Sequence, residues 1–231
     1  MIATERFVHI HLHKSGGTFV NECLLRFFPE AQQLGYHLPR SLIPPSFAAL
    51  PVLGFVRNPW SYYVSWYSFQ SERPQPNALF RCVSGDRTLD FNATVRNMLL
   101  LGEPGGKLDA LLPLLPNAYG HQGLNLPAFA LAPIRDSGLG FYSYLYRYMY
   151  AGDPAKLFIG RTETLREDFL GFLDRVGVRA STALRDFIAH EAPRNTSSHG
   201  AYQTYYDDAT AALVAERDRT VIDAFGYSFA A

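Results

Sequence analysis

His9-Ile10-His11-Leu12-His13-Lys14-Ser15-Gly16-Gly17-Thr18 is the stretch on which the reading of this chain turns. Arg6 to His13 carries the strand formers Phe7, Val8, Ile10 and Leu12. Lys14 to Thr18 is a tight glycine turn. Phe19 to Phe28 then places Val20, Cys23, Leu24, Phe27 and Phe28 at helical spacing, and Pro29 closes the segment. The expected order is strand, glycine-rich loop, helix. Such a turn is a ready anion site, because backbone N–H groups point into it and the helix N-terminus adds partial positive charge. Lys14 adds a full charge, and Ser15 and Thr18 add hydroxyl donors. In a Walker A loop the Lys follows the second glycine. Here Lys14 precedes Gly16 and Gly17, so the loop is of another kind.

Working outward, Pro51 to Val56 is a short, continuously apolar run that suits a buried parallel strand. It ends in Arg57, where a P-loop NTPase would more often show an acidic magnesium ligand. Asn58 is placed to cap the next helix with Pro59 at its first position, and that helix is expected to run to about Gln70. Carboxyl ends of neighbouring parallel strands share a crevice. Lys14 and Arg57 are therefore expected to open onto one cleft, with Ser65 two turns into the helix after it. Two adjacent anion sites point to a ligand with two separated phosphate-like groups.

Gly35 to Leu50, broken by Pro39, Pro44 and Pro45, is not expected to form one regular element. Ser71 to Asp90 reads as polar and irregular, Phe91 to Leu101 as a helix, and Phe141 to Tyr150 as an aromatic helix. Leu157 to Gly160 reads as a third buried strand. Thr164-Leu165-Arg166-Glu167 is a capping-box pattern opening a helix to Val176. Asp207 to Phe225 reads as one long amphipathic helix with Leu213, Val214, Val221, Ile222 and Phe225 on one side. No internal repeat or linker interrupts the chain. The expectation is one α/β domain over 1–231, P-loop or Rossmann-like, with three layers and a central, mainly parallel sheet flanked by helices. Residues 71–153 form a helical or irregular insertion within it.

Composition narrows the function classes. With 231 residues, 48% hydrophobic and 18% charged, the chain is ordinary for a globular protein, not a disordered one. Lys+Arg and Asp+Glu are both 21, so the basic excess of a polyanion-coating protein is missing and no nucleic-acid partner is expected. Cys23 and Cys82 make no disulfide framework and have no metal-ligand spacing. No apolar run reaches the ~18 residues that span a bilayer, and the N-terminus lacks a signal-peptide pattern. A cytoplasmic location follows as the expectation.

At this point the chain resembles the PAPS-dependent sulfotransferases (PAPS is 3′-phosphoadenosine 5′-phosphosulfate), in their carbohydrate-type or bacterial branch. His9 to Thr18 is similar to the family's 5′-phosphosulfate loop. Val56-Arg57-Asn58-Pro59, with Ser65, is similar to its 3′-phosphate motif. The tail, Tyr205 to Asp208 and on to Phe229, is similar to the end of that branch. The resemblance implies PAPS as co-substrate and no metal. It implies that Lys14 touches the 5′-phosphate and the bridging oxygen, that Ser15, Gly16, Gly17 and Thr18 hold the 5′-phosphate, and that Arg57 and Ser65 hold the 3′-phosphate. Arg161, after the third strand, and Arg194, in a polar turn before the last helix, are further nucleotide candidates. The family's acceptor recognition would fall in 71–153, with a small molecule or carbohydrate as acceptor.

Sulfuryl transfer needs a stabiliser for the leaving phosphate oxygen, which suits Lys14. It also benefits from a base near the acceptor hydroxyl, and histidine suits that at neutral pH. His37, in the connection between the two motifs, is the first candidate, with His121 and Glu163 as alternatives. His9 and His11 alternate along the first strand and share a face, which points to packing or support. His13 adjoins the loop. Two other readings stay open: an atypical P-loop kinase or NTPase, and a nucleotide-binding protein without catalysis.

Overall fold

The computed structural model describes residues 1–121, 123–192 and 200–230. Contacts divide these into two compact units: 1–57 with 149–192, and 58–148 with 200–230.

The first unit is built on a five-stranded sheet in the order β3-β1-β2-β4-β5. Its strands are β1 (Ile2–Ala3), β2 (Val8–His9), β3 (Gln32–Gln33), β4 (Val52–Val56) and β5 (Leu157–Arg161). β2, β4 and β5 are parallel neighbours, with Val8 beside Val52 and Val56 beside Arg161. β1 runs antiparallel to both β2 and β3, so the sheet is mainly parallel. α1 (Gly17–Phe27) follows β2, and α8 (Leu165–Arg175) and α9 (Thr182–His190) follow β5. Phe7, Val20, Leu24, Phe55, Phe169 and Phe172 are among the side chains of its buried core. Burying aromatic and branched side chains of this size contributes on the order of 1.5–3 kcal/mol each.

The first strand is shorter than Arg6 to His13. Thr4 Oγ1 accepts the Phe7 and Arg6 amides at 3.0 and 3.2 Å, closing a tight turn after β1. Pairing with the β4 segment runs only from the Val8 amide on Pro51 O to the Ile10 amide on Leu53 O, both 2.9 Å. The connection from Gly35 to Leu50 holds only two short 3-10 turns, at Arg40–Leu42 and Pro45–Phe47. The expected capping box at Thr164 does not form: its Oγ1 donates to Asp168 at 2.8 Å instead of accepting an amide of the helix, although α8 starts at the next residue.

The second unit contains α2 (Pro59–Ser71), α3 (Ala78–Val83), α4 (Phe91–Leu99), the single turns α5 (Leu108–Leu111) and α6 (Ala128–Leu131), α7 (Phe141–Tyr150, whose last two residues group with the first unit), α10 (Asp208–Arg217) and α11 (Arg219–Phe225). α2 begins as its sequence predicts: Asn58 Oδ1 accepts the Trp60 and Ser61 amides at 3.1 and 3.4 Å, with Pro59 at the first helical position. α3 corrects the irregular reading of Ser71 to Asp90, because Asn77 accepts the Phe80 amide at 2.8 Å and starts a short helix. The long last helix is two helices, broken at Asp218 (φ −105°, ψ 20°). Tyr62 and Tyr63 on α2 are fully buried, with Tyr62 stacked on Tyr142 at 3.9 Å between ring centroids. These rings belong to the core.

Candidate functional site

The carboxyl ends of β2, β4 and β5 converge. After β2, backbone at φ 56° for Lys14 and 74° for Gly16 turns the chain into α1. A left-handed residue costs little for glycine and more for lysine, so the turn is held by its surroundings. Those surroundings are close: an ideal Cβ on Gly16 would lie 2.2 Å from Leu165 Cδ1, and one on Gly17 would lie 2.0 Å from His11 Cδ2. Gly17 is therefore required by the His11 ring, and Gly16 by its left-handed backbone. Gly17 opens a helix of 11 residues, whose N-terminal amides face the turn.

Arg57, at the end of β4, donates from Nη1 to the Lys14 carbonyl at 3.5 Å. The Arg57 guanidinium thus reaches the backbone of the glycine loop, which brings the two motifs together. Thr162, after β5, donates from Oγ1 to the Val56 carbonyl at 2.9 Å and ties the third loop to the second. Arg161 is exposed beside them, its amide bonded to Asp168 at 2.7 Å. Below the edge, the Tyr150 hydroxyl donates to the Phe55 carbonyl and accepts the Phe55 amide, both at 3.1 Å. Gly54 leaves room for that ring.

Four histidines crowd behind the loop. His9, His11, His13 and His37 are 0, 4, 9 and 5% exposed. His37 lies at φ 50° and stacks on His13 at 3.6 Å, with His11 at 4.3 Å. Its Nδ1 donates to the His11 carbonyl at 2.7 Å. A carbonyl only accepts, so Nδ1 carries the proton and Nε2 keeps the lone pair. Burial holds His37 and His11 well below the usual histidine value of 6.5, and neighbouring imidazoles add to the effect. Burial pushes His9 down to about 3. His9, His11 and His37 are therefore neutral at pH 7, and a neutral imidazole is the form that accepts a proton.

The sequence candidates are therefore distributed as follows. Lys14, Ser15, Gly16, Gly17, Thr18, His37, Arg57 and Arg161 come together in the first unit. Ser65 lies on α2 of the second unit and is 2% exposed. His121 is exposed in a turn of that unit, and Glu163 is exposed just after β5. Arg194 lies outside the described residues. Tyr36, Asn21 and Tyr150 border the site without having been picked out from the sequence. Tyr36 and Tyr150 lie away from the two motifs in the chain, and Asn21 lies a turn into the helix after the loop. Among the described residues no group of three His, Cys, Asp or Glu is placed to hold a metal. Among them, too, no helix is long and apolar enough to cross a membrane.

No protein-family model matches the chain, and no curated protein sequence matches it. Among solved structures it is similar to the crystal structure of mouse sulfotransferase SULT7A1 complexed with PAP. Identity is 13% and the TM-score 0.53, over 96% of this chain and 89% of that one. At that identity the likeness concerns the fold: the α/β architecture expected from the sequence, with its mainly parallel sheet flanked by helices, is the one present.

Proposed function

We propose that this protein is a sulfotransferase that moves a sulfuryl group from 3′-phosphoadenosine 5′-phosphosulfate to a hydroxyl or amine of a small-molecule or carbohydrate acceptor. The observation that carries the reading is the pairing of the Lys14 loop with Arg57 at the carboxyl edge of the sheet. A fold shared with an enzyme of that class agrees with it.

In this reading the loop amides of Ser15 to Thr18 and the α1 N-terminus hold the 5′-phosphate. Arg57 and Ser65 hold the 3′-phosphate, with Arg161 and Arg194 as further candidates for nucleotide binding. The acceptor oxygen attacks sulfur while the bond from sulfur to the phosphate oxygen breaks. Negative charge grows on that leaving oxygen, and the Lys14 ammonium stabilises it. His37 Nε2 takes the acceptor proton. Burial weakens His37 as a base, but a multiply negative donor beside the loop favours its charged form and offsets part of that weakness.

The test is calorimetric titration with 3′-phosphoadenosine 5′-phosphate against ATP with magnesium, repeated on Arg57→Ala. Metal-independent binding of the bisphosphate, weakened at least ~30-fold (about 2 kcal/mol) in the variant, is expected for a lost charge-assisted phosphate contact. Preference for magnesium-ATP, or indifference to Arg57, would reject the reading in favour of a kinase-like one.

A further inference from the structure

His9 and His11 are bridged by one amide. Asn21, half-buried on α1, lies with Oδ1 3.0 Å from His9 Nδ1 and with Nδ2 3.3 Å from His11 Nδ1. An amide offers a donor on one side and an acceptor on the other. The two imidazoles contacting it through Nδ1 must then differ: one carries its proton on Nδ1 and the other on Nε2. Turning the amide over exchanges the two tautomers and leaves them opposite. In the orientation present, His11 accepts at Nδ1 and can become an imidazolium only by giving up that bond. The consequence reaches the loop, because the His11 ring lies where a Gly17 side chain would be and the His11 carbonyl accepts a hydrogen bond from His37 Nδ1–H.

We propose that Asn21 is a positioning residue for His37. It locks His9 and His11 in opposite neutral tautomers, keeps charge off His11 beside Lys14, and fixes the strand end whose carbonyl leaves His37 with Nε2 as its one basic nitrogen. The kinetic part of this rests on the sulfuryl-transfer reading; the tautomer part does not. Among the described residues, the titratable groups that act on these rings are His13, Lys14 and the amino terminus, with the Tyr36 ring 4.1 Å from that of His37. None of them is a carboxylate that would hold a buried imidazolium.

The test uses the full-length 15N-labelled protein and long-range 1H–15N correlations of the histidine rings between pH 5.5 and 8. The wild type is expected to show opposite neutral tautomers for His9 and His11 and Nδ1–H for His37 throughout. Matching tautomers on His9 and His11, or His11 charging with an ordinary midpoint, would overturn the proposal without any variant. Asn21→Asp offers two acceptors, so both strand histidines should become Nδ1–H. Asn21→Leu should free His11 to change tautomer or titrate. It should also lower kcat about tenfold, with the donor KM within about twofold and the acid limb of the pH–kcat profile displaced. Unchanged tautomers and an unchanged profile in both variants would overturn it. If the wild type transfers no sulfuryl group at all, the functional reading fails, and the tautomer measurement still decides the role of Asn21.

Discussion

Gly17 has no side chain because the His11 ring fills the place of one, 2.0 Å from an ideal Cβ. Gly17→Ala must push that ring away, and with it the carbonyl that positions His37. We expect it to weaken binding of 3′-phosphoadenosine 5′-phosphate by about tenfold or more, which is ~1.4 kcal/mol on calorimetric titration. Unchanged affinity would mean that the ring and the loop are independent. Lys14 calls for a different substitution. At φ 56° alanine would be strained, whereas glycine is not, so Lys14→Gly removes the ammonium and leaves the turn intact. Its urea midpoint should stay at or above that of the wild type, while kcat should fall about 10²–10³-fold, as for loss of one transition-state donor. A variant that keeps its rate would exclude Lys14 as the stabiliser of the leaving oxygen. Much of this edge was legible in the sequence, because glycine, lysine and arginine at strand ends carry their chemistry in local order. Asn21 and Tyr36 were not. They meet His11 through packing across 10 and 25 residues of chain, and such contacts leave no spacing to read.

A long helix that begins with its own cap was readable, and one interrupted by a tertiary contact was not. α2 shows the first case: Asn58 caps and Pro59 starts it, both local signals. α10 and α11 show the second. The apolar stripe from Leu213 to Phe225 continues through the break, so periodicity predicts one helix. The break lies at Asp218, which is fully buried, accepts from the Tyr63 hydroxyl and the Ser143 amide at 2.7 Å each, and redirects the chain to make those bonds. α3 went unread because a helix of six residues offers too little periodicity. In α8 the element scale allows a clean test. Gly171 is exposed in the helix interior with nothing within 4 Å of an ideal Cβ. Gly171→Ala should raise stability by about 0.5–1 kcal/mol in urea unfolding, since the helix gains backbone order and loses no space. A decrease would show that this face is covered by something other than solvent.

Across the whole chain, pH acts on stability through buried groups of opposite sign. His9, His11 and His37 are held below 6.5 by burial. Below that pH the unfolded chain binds protons at these positions that the folded chain refuses, so their contribution is full above 6.5 and is lost on acidification. Asp218 works the other way. Burial pushes it from 3.8 up to about 6, so between those values the folded chain holds a proton that the unfolded chain has released. Its contribution is present at low pH and is lost as pH rises through that window. Between about pH 4.5 and 5.5 three histidines and the buried amino terminus, lowered from 8.0 to about 5, oppose one carboxylate, a net of about two to three protons taken up on unfolding. Stability should then fall by roughly 3–4 kcal/mol for each pH unit of acidification. Asp218→Asn keeps the size of the side chain and removes the opposing titration. Its acid loss should be steeper by about 1.4 kcal/mol per pH unit over the same range, while the two slopes should coincide above pH 7. Urea midpoints at half-unit steps from pH 4.5 to 8 measure both. Parallel curves for the two proteins would mean that Asp218 titrates in the fold as it does in the unfolded chain. A flat wild-type curve would mean that the histidines behind the glycine loop reach solvent and charge without unfolding it.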